Sequence, residues 1–178
     1  KSLQRTGPQV GAISLVGFWR KNSEPRPWGG RAGGEPVTVT LEQARAILDL
    51  RDRSFVARDI EAYLSIWAEN CTVEGPGHLI EGRENLRKAI EAAWSLQKPV
   101  HMSTRSIGVN GDTMFHEFVI VWEHRDSGER SLHTGATVSG VDTAGHWSWL
   151  REYFDPADRP RASAAGLPTV REFVSSDQ

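Results

Sequence analysis

Hydrophobic residues recur every three or four positions over the first part of the chain's central region, which is the spacing of helices that bury one face. The first helix is predicted to begin at Thr40-Leu-Glu-Gln43, a capping box in which two side chains satisfy backbone N–H groups. Its inward residues are Leu41, Ala44, Leu48 and Phe55. A second helix is predicted from Ile60 to Trp67 behind the capping residue Asp59, and a third from Arg83 to Leu96.

The later part of the chain alternates between strand-like runs and turn sequences. Four strands are predicted, over residues 100–109, 113–124, 130–141 and 146–155, and a short strand, Cys71 to Glu74, precedes the third helix. Asn110-Gly111 between two such runs is the strongest short hairpin signal. Because a sheet of this length must bury one face on the helices, the pattern predicts an α+β domain.

Composition adds the domain boundaries. Residues 1–37 are rich in Gly, Pro and Arg, which cannot pack a core, so they are predicted to form a flexible or surface-draped arm. Residues 157–178 are rich in Pro and Ala and are predicted to form a tail. One pocket-bearing domain, 38–156, remains.

Charge and motif content exclude several classes of function. The net charge is -2 with no basic face, so we expect no nucleic-acid partner, and no apolar run is long enough for a membrane span. The single cysteine, Cys71, forms no intrachain disulfide, which fits a cytoplasmic protein. No glycine-rich loop lies between strand and helix, so no phosphate-binding cradle is predicted, and no nucleophile elbow is present. The expected cofactor is none.

Two stretches carry a family resemblance. The run from Asp59 to Glu74, followed by Pro76 and Gly82-Arg83-Glu84, resembles the opening of ketosteroid isomerase. The run Leu150-Arg-Glu-Tyr-Phe-Asp155 resembles the last strand of limonene epoxide hydrolase and of SnoaL-like polyketide cyclases. All three belong to the nuclear-transport-factor-2-like superfamily. The resemblance implies a cystatin-like α+β barrel, a cone-shaped curved antiparallel sheet wrapped on three N-terminal helices.

The same resemblance implies where functional residues should lie, and the isomerase positions are changed here. The isomerase has an Asp base just before the Pro of its first strand, where this chain has Gly75. Its tyrosine donor on the first helix falls near Arg51, and its second, neutral Asp falls near Thr137. Steroid isomerisation by that route is therefore not expected.

The water-activating residues of the epoxide hydrolase are retained only in part. Its Arg and Asp on the second long strand fall near Phe118 and Ile120, so the triad is broken. Its other Asp, on the last strand, falls on Glu152, which keeps a carboxylate one methylene longer.

Strand alternation indicates which side chains share a face with Glu152, and the family resemblance places that face inward. Glu152 and His116 are the predicted catalytic residues. The predicted substrate-binding residues are Tyr63, Trp67, Val73, Phe118, Ile120, His133, Thr137, Leu150 and Phe154.

Glu152 lies between two apolar residues of its own face, and such surroundings raise the pKa of a carboxyl unless a cation pairs with it. A carboxyl of that kind is suited to general acid or base work near neutral pH, with His116 orienting or assisting it. The alternative is a structural contact of Glu152 with His116, Arg51 or Arg105. The register of the 100–109 strand leaves open whether His101 or Arg105 lines the pocket.

Three functions remain in competition. The first is a cofactor-free cyclase, dehydratase, isomerase or hydrolase that acts on an apolar ring- or carbonyl-bearing small molecule. The others are a non-catalytic ligand-binding module and an assembly domain with a vestigial pocket. No metal site is predicted, because His116, His133 and Glu152 come from separate strands without short ligand spacing.

The strand face that points away from the pocket is apolar at its centre. A patch of that kind usually marks an interaction surface, so a homodimer through this face is predicted, with coverage by the arm as the alternative. Its apolar members are Phe115, Val119, Val121, Leu132, Ala136, Val138, Trp147, Trp149 and Tyr153.

Overall fold

A computed structural model of the chain describes residues 38–154. The predicted arm, the predicted tail and residues 155–156 lie outside the described residues. The helices are α1 (Leu41–Ala57), α2 (Ile60–Leu64) and α3 (Arg83–Leu96). The strands are β1 (Trp67–Gly75), β2 (His78–Glu81), β3 (Gln97–Asn110), β4 (Thr113–His124), β5 (Arg130–Val141) and β6 (Trp147–Tyr153).

Helices α1 and α3 form where the hydrophobic spacing predicts them. The capping box of α1 is confirmed: the Gln43 N–H donates to Thr40 Oγ1 over 3.1 Å, and the Thr40 N–H donates to Gln43 Oε1 over 2.8 Å. Leu41, predicted to face inward, is 40% exposed because it lies in the first turn, before α1 reaches the buried positions.

Helix α2 is shorter than predicted. It ends at Leu64, and Trp67 begins β1 instead of closing the helix. The Trp147 N–H donates to the Ile66 carbonyl over 2.8 Å. The backbone therefore forms hydrogen bonds with β6 from this point and no longer within the helix. For the same reason β1 begins at Trp67, four residues before the predicted start at Cys71.

The strands form one curved, unclosed sheet in the order β2-β1-β6-β5-β4-β3. The predicted antiparallel meander of β3 to β6 is confirmed, as is the α+β class. The sheet is not antiparallel throughout, since β1 pairs with β6 in parallel. A further edge strand, β2, pairs with β1 and was not predicted. We call the face toward the helices the inner face and the opposite one the outer face.

Trp147 lies on the opposite face from the one predicted. Trp149 pairs with Gly140 but Trp147 pairs with Val141, so Ser148 is an extra residue in β6. One extra residue reverses the alternation of faces. Trp147 therefore turns inward and is fully buried, with its ring 4.9 Å from that of Trp67 in an edge-on arrangement.

Trp147→Ala should destabilise the fold strongly, because it removes a fully buried indole from the core. We expect the free energy of unfolding to fall by about 3–5 kcal/mol, measured by urea denaturation. Trp149→Ala is the matched control on the outer face, where the indole covers Gly140 and is only partly buried. Equal losses for the two variants would contradict the inward placement of Trp147.

Candidate functional site

An arginine occupies the apolar stripe of α1. Arg51 lies three residues after Leu48 and four before Phe55, a spacing that places all three on one side of the helix, and it is only 3% exposed. A guanidinium keeps its charge at physiological pH, so a buried one needs partners. Its Nε donates to Asp52 Oδ1 over 2.7 Å, and its Nη2 donates to Thr104 Oγ1 over 2.9 Å.

A third partner of Arg51 is His116. Arg51 Nη1 donates to His116 Nε2, so in the neutral ring the proton is on Nδ1, which lies 2.7 Å from Thr137 Oγ1 and donates to it. Burial, and then the charge of Arg51, lower the pKa of His116 to about 2. His116 is therefore neutral, and it cannot be the cation that pairs with Glu152.

The Trp147 indole covers this group of side chains. Its ring is parallel to that of His116, with an interplanar angle of 4° and 6.1 Å between centroids. Arg51 Cζ lies 6.0 Å from the indole centroid, within the range of a cation–π contact. The bulge that turns Trp147 inward thus helps to enclose the Arg51 cluster, which consists of Arg51, Asp52, Thr104, His116 and Thr137.

Glu152 lies on the inner face beside the Arg51 cluster. It pairs across the strands with Thr137, Leu150 precedes it on the same face of β6, and Phe154 follows directly after the end of β6. Within residues 38–154 its carboxyl makes no hydrogen bond or ion pair. Burial raises the pKa of Glu152 to about 7, although the charge of Arg51 acts in the opposite direction. The carboxyl is therefore able to hold or release a proton near neutral pH.

Tyr63 approaches Glu152 from the helix side. Burial, and then the nearby Glu152 carboxylate, raise the pKa of the Tyr63 hydroxyl well above its usual value. The ring contacts that of Trp67, with 6.2 Å between centroids. Tyr63 therefore keeps its proton and is a hydrogen-bond donor next to the carboxyl.

The remaining predicted lining residues divide into two groups. Val73, Phe118, Ile120 and Leu150 belong to the buried core of the inner face. His133 pairs with Ile120 and is four residues along β5 from Thr137, a separation of about 13 Å. The structure therefore does not bring His133 to Glu152.

Two bulges settle the register of β3. His101 pairs with Val121 and lies on the outer face. Arg105 is the extra residue between Thr104 and Ser106, and it is exposed. The β3 side chain that reaches the Arg51 cluster is Thr104, so neither His101 nor Arg105 pairs with Glu152.

The sequence interpretation missed the central role of Arg51, and it missed Asp52 and Thr104. A detectable signal existed for the first, because Arg51 is a charged residue at a position where the spacing of Leu48 and Phe55 requires a buried one. The other two are recognisable only as the partners that a buried guanidinium requires.

Other regions of the described structure offer no comparable arrangement. Among residues 38–154, no three His, Cys, Asp or Glu side chains converge as metal ligands. None of the described helices combines the length and apolar character of a membrane span. An open groove of about 460 Å³ lies between the helix ends, lined by Ala57, Arg58, Ile60, Glu91, Trp94, Ser95 and Arg125. It does not include Glu152 or any member of the Arg51 cluster, so we place the candidate site on the inner face.

Glu152→Gln should stabilise the protein at alkaline pH but not at acid pH. Since folding raises the pKa of Glu152, the favourable protonated state is fully present below about pH 4.5 and is lost as pH rises through about 7. At pH 8.5 we expect the variant to gain about 1–3 kcal/mol in free energy of unfolding over the wild type. Urea denaturation at pH 4 and 8.5 measures this, with the exposed Glu129→Gln as control. No gain at pH 8.5 would contradict the raised pKa of the carboxyl.

Comparisons with known proteins agree with this architecture. Solved structures that resemble it include an epoxide hydrolase of the limonene-epoxide-hydrolase-like type from Mycobacterium tuberculosis (18% identity, 76% of this chain and 95% of that one, TM-score 0.59). A putative isomerase from Bacillus subtilis is similar (17% identity, 72% and 97%, TM-score 0.60). So is RV0760c from M. tuberculosis in complex with estradiol-17beta-hemisuccinate (20% identity, 66% and 96%, TM-score 0.58).

By sequence, no curated protein matches the chain. The family model of the SnoaL-like domain matches residues 44–149, which is more than half of the 178 residues. The predicted resemblance is thereby confirmed, and the chain belongs to the SnoaL-like domain family.

Proposed function

We propose that this chain binds an apolar ring- or carbonyl-bearing small molecule between the inner face and the helices, and that Glu152 transfers a proton to or from it without a cofactor. The observation that carries the proposal is the Glu152 carboxyl itself. It lies among apolar residues, its pKa is raised to about 7, and it has no hydrogen-bond or ion-pair partner within residues 38–154. A carboxyl in that condition is a general acid or base of the required strength.

Partial exposure of inward residues supports a space for the ligand. Three side chains of the inner face are only partly buried: Met102, Trp122 and Glu152. Phe154, directly after β6, is also only partly buried. An aromatic and aliphatic wall with a few polar groups is the usual composition of a small-molecule site. RV0760c, which is similar in fold, was solved with the steroid ester estradiol-17beta-hemisuccinate, and this supports a polycyclic compound as the first class to test.

The Arg51 cluster would supply the electrostatics of the reaction. The Arg51 charge favours negative charge that develops on a ligand oxygen near Glu152, as fixed donors and charges do in other active sites. Neutral His116 would hold Arg51 in place rather than carry a proton, because its Nε2 accepts from the guanidinium. Tyr63 would donate a hydrogen bond to the same ligand oxygen. The class of reaction is a cyclisation, dehydration, isomerisation or hydrolysis.

A non-catalytic ligand-binding module is the second candidate. Its supporting observation is the loss of side chains that carry proton transfer in the two enzymes that the sequence resembles. Gly75 has no side chain, and Phe118 and Ile120 are buried apolar residues. In that case Glu152 and Tyr63 would serve only to orient the ligand.

Ligand screening followed by turnover assays separates the two. Polycyclic ketones, terpenoid epoxides and polyketide fragments that bind the folded chain should raise its melting temperature. For a compound that reacts, Glu152→Gln should lower kcat at least about 100-fold with the fold intact. Glu129→Gln, an exposed control, should leave kcat unchanged. Turnover of Glu152→Gln at the wild-type rate would remove Glu152 from the mechanism, and binding without turnover would favour the second candidate.

We also propose that the chain forms a homodimer through the outer face. Phe115, near the start of β4, and Tyr153, at the end of β6, are 43% and 53% exposed there, whereas Val119 and Val121 in the middle of β4 are fully buried. Trp149 is on the same face, with Arg151 Cζ 5.6 Å from the centroid of its ring. Trp147 does not contribute, because it is turned inward. Sheet-to-sheet pairing about a two-fold axis would cover these rings.

Phe115→Glu should dissociate such a dimer, because it places an unpaired charge in a buried interface. Light scattering at micromolar concentration is expected to give twice the chain mass for the wild type and a single mass for the variant. Glu129→Lys, away from this face in the turn before β5, is a control with a charge change. A monomeric wild type would contradict the proposal.

A further inference from the structure

A histidine side chain occupies the space beside a glycine in the β1–β2 hairpin. Gly75 pairs with His78, the last register pair before the turn. A Cβ atom built on Gly75 would lie 2.3 Å from Cε1 and 2.6 Å from Nε2 of the His78 ring. The imidazole therefore lies directly against the Gly75 backbone, in the space that a side chain at position 75 would occupy.

Register shows that both residues belong to the inner face. Val73 pairs with Ile80, and both pack in or against the core cluster of the inner face. Gly75 and His78 are each two residues further along, so they share that face. Glu74 points to the outer face, where it accepts from Arg151 Nε over 3.0 Å.

The same register places His78 in line with the candidate site. Glu74 pairs with Arg151 in the parallel β1–β6 ladder, so the next step sets Gly75 beside Glu152. Glu152 pairs with Thr137, and Thr137 pairs with His116. One transverse row of inner-face positions thus crosses the sheet, and the position without a side chain, Gly75, is the one that the His78 ring covers.

The chemistry of the ring suits proton transfer. His78 is half-buried, and burial lowers its pKa, while a hydrogen bond to the Pro76 carbonyl acts in the opposite direction. A ring that is neutral at neutral pH and donates one N–H to that carbonyl has its acceptor lone pair on the other nitrogen.

We propose that His78 is a second proton-transfer residue of the Glu152 site, and that the imidazole and the carboxyl face one ligand from either side of Gly75. The inference rests on the proposed function. For a ketone, the imidazole would take a proton from the carbon next to the carbonyl group. The electrons of that C–H bond form the new C=C bond, and the carbonyl oxygen takes the proton of the Glu152 carboxylic acid. Reversal returns both protons and restores the ketone.

The space between Gly75 and His78 provides a sharp test. Gly75→Ala keeps the imidazole but forces it to move, because the added Cβ would collide with the ring, whereas the backbone of Gly75 has no positive φ that alanine would strain. His78→Gln removes the ring. If His78 only packed against the hairpin, neither change would affect the chemistry of a bound ketone.

The matched controls come from the opposite edge of the sheet. His101→Gln changes a half-buried histidine on the outer face of β3. Gly108→Ala adds a Cβ whose nearest neighbour is 4.0 Å away, so it displaces nothing. Both controls should behave as the wild type.

The experiment follows deuterium uptake by estrone, a polycyclic ketone, in D₂O with the full chain, using mass spectrometry. We expect His78→Gln and Gly75→Ala each to slow the catalysed exchange by about 100-fold, with melting temperatures close to that of the wild type. Exchange at the wild-type rate in both variants, while Glu152→Gln is inactive, would overturn the role of His78 and leave the proposed function standing. A wild-type chain that catalyses no exchange of estrone would overturn the proton-transfer role of His78, and turnover of other compounds would then decide that of Glu152 separately.

Discussion

The buried charge of Arg51 is the constraint on which the rest of the inner face depends. A guanidinium cannot be neutralised by losing its proton, so a core that contains one must supply acceptors. Asp52, Thr104 and His116 do so. This demand fixes the protonation of His116, because a ring nitrogen that accepts from Arg51 cannot carry a proton of its own. Thr137 Oγ1 lies 2.7 Å from Nδ1 and 2.8 Å from Nε2 of the ring, and it offers the Nδ1 proton an acceptor.

Glu152 is affected by the same charge without being paired to it. Burial among apolar residues disfavours the carboxylate, while the nearby guanidinium favours it, and the balance leaves the pKa near neutrality. An ion pair with Arg51 would have held the carboxyl ionised, as a structural contact requires. Asp52, adjacent to Arg51 in the chain, takes the place of that partner. Among the described residues, Asp52 is paired with Arg51 and Glu152 is not, and this difference distinguishes a candidate acid or base from a structural ion pair.

The sequence predicted the elements that local chemistry determines, and failed where a distant strand decides. The capping box of α1 and the Asn110-Gly111 hairpin follow from neighbouring residues, and both are confirmed. Glu152 was placed inward because β6 alternates regularly around it. Trp147 was misplaced because one extra residue, Ser148, reverses that alternation, and only the pairing with β5 shows it. The four-residue strand β2 was missed because Gly75-Pro76-Gly77 indicates only that β1 ends. It does not indicate that the residues after it pair with β1.

Membership of the SnoaL-like family determines the fold around the site but not its chemistry. Side chains from two neighbouring strands can occupy the same point on one face of a sheet. At Gly75 the sheet has no side chain of its own, and a search of β1 alone finds no acid or base there. The adjacent strand places the His78 ring over the same point, because antiparallel partners share a face and the glycine leaves room. Comparing position 75 with its counterpart in other chains therefore misses the group that occupies the space. A residue that is absent from a motif counts against an activity only after the neighbouring strands have been searched for a side chain that replaces it.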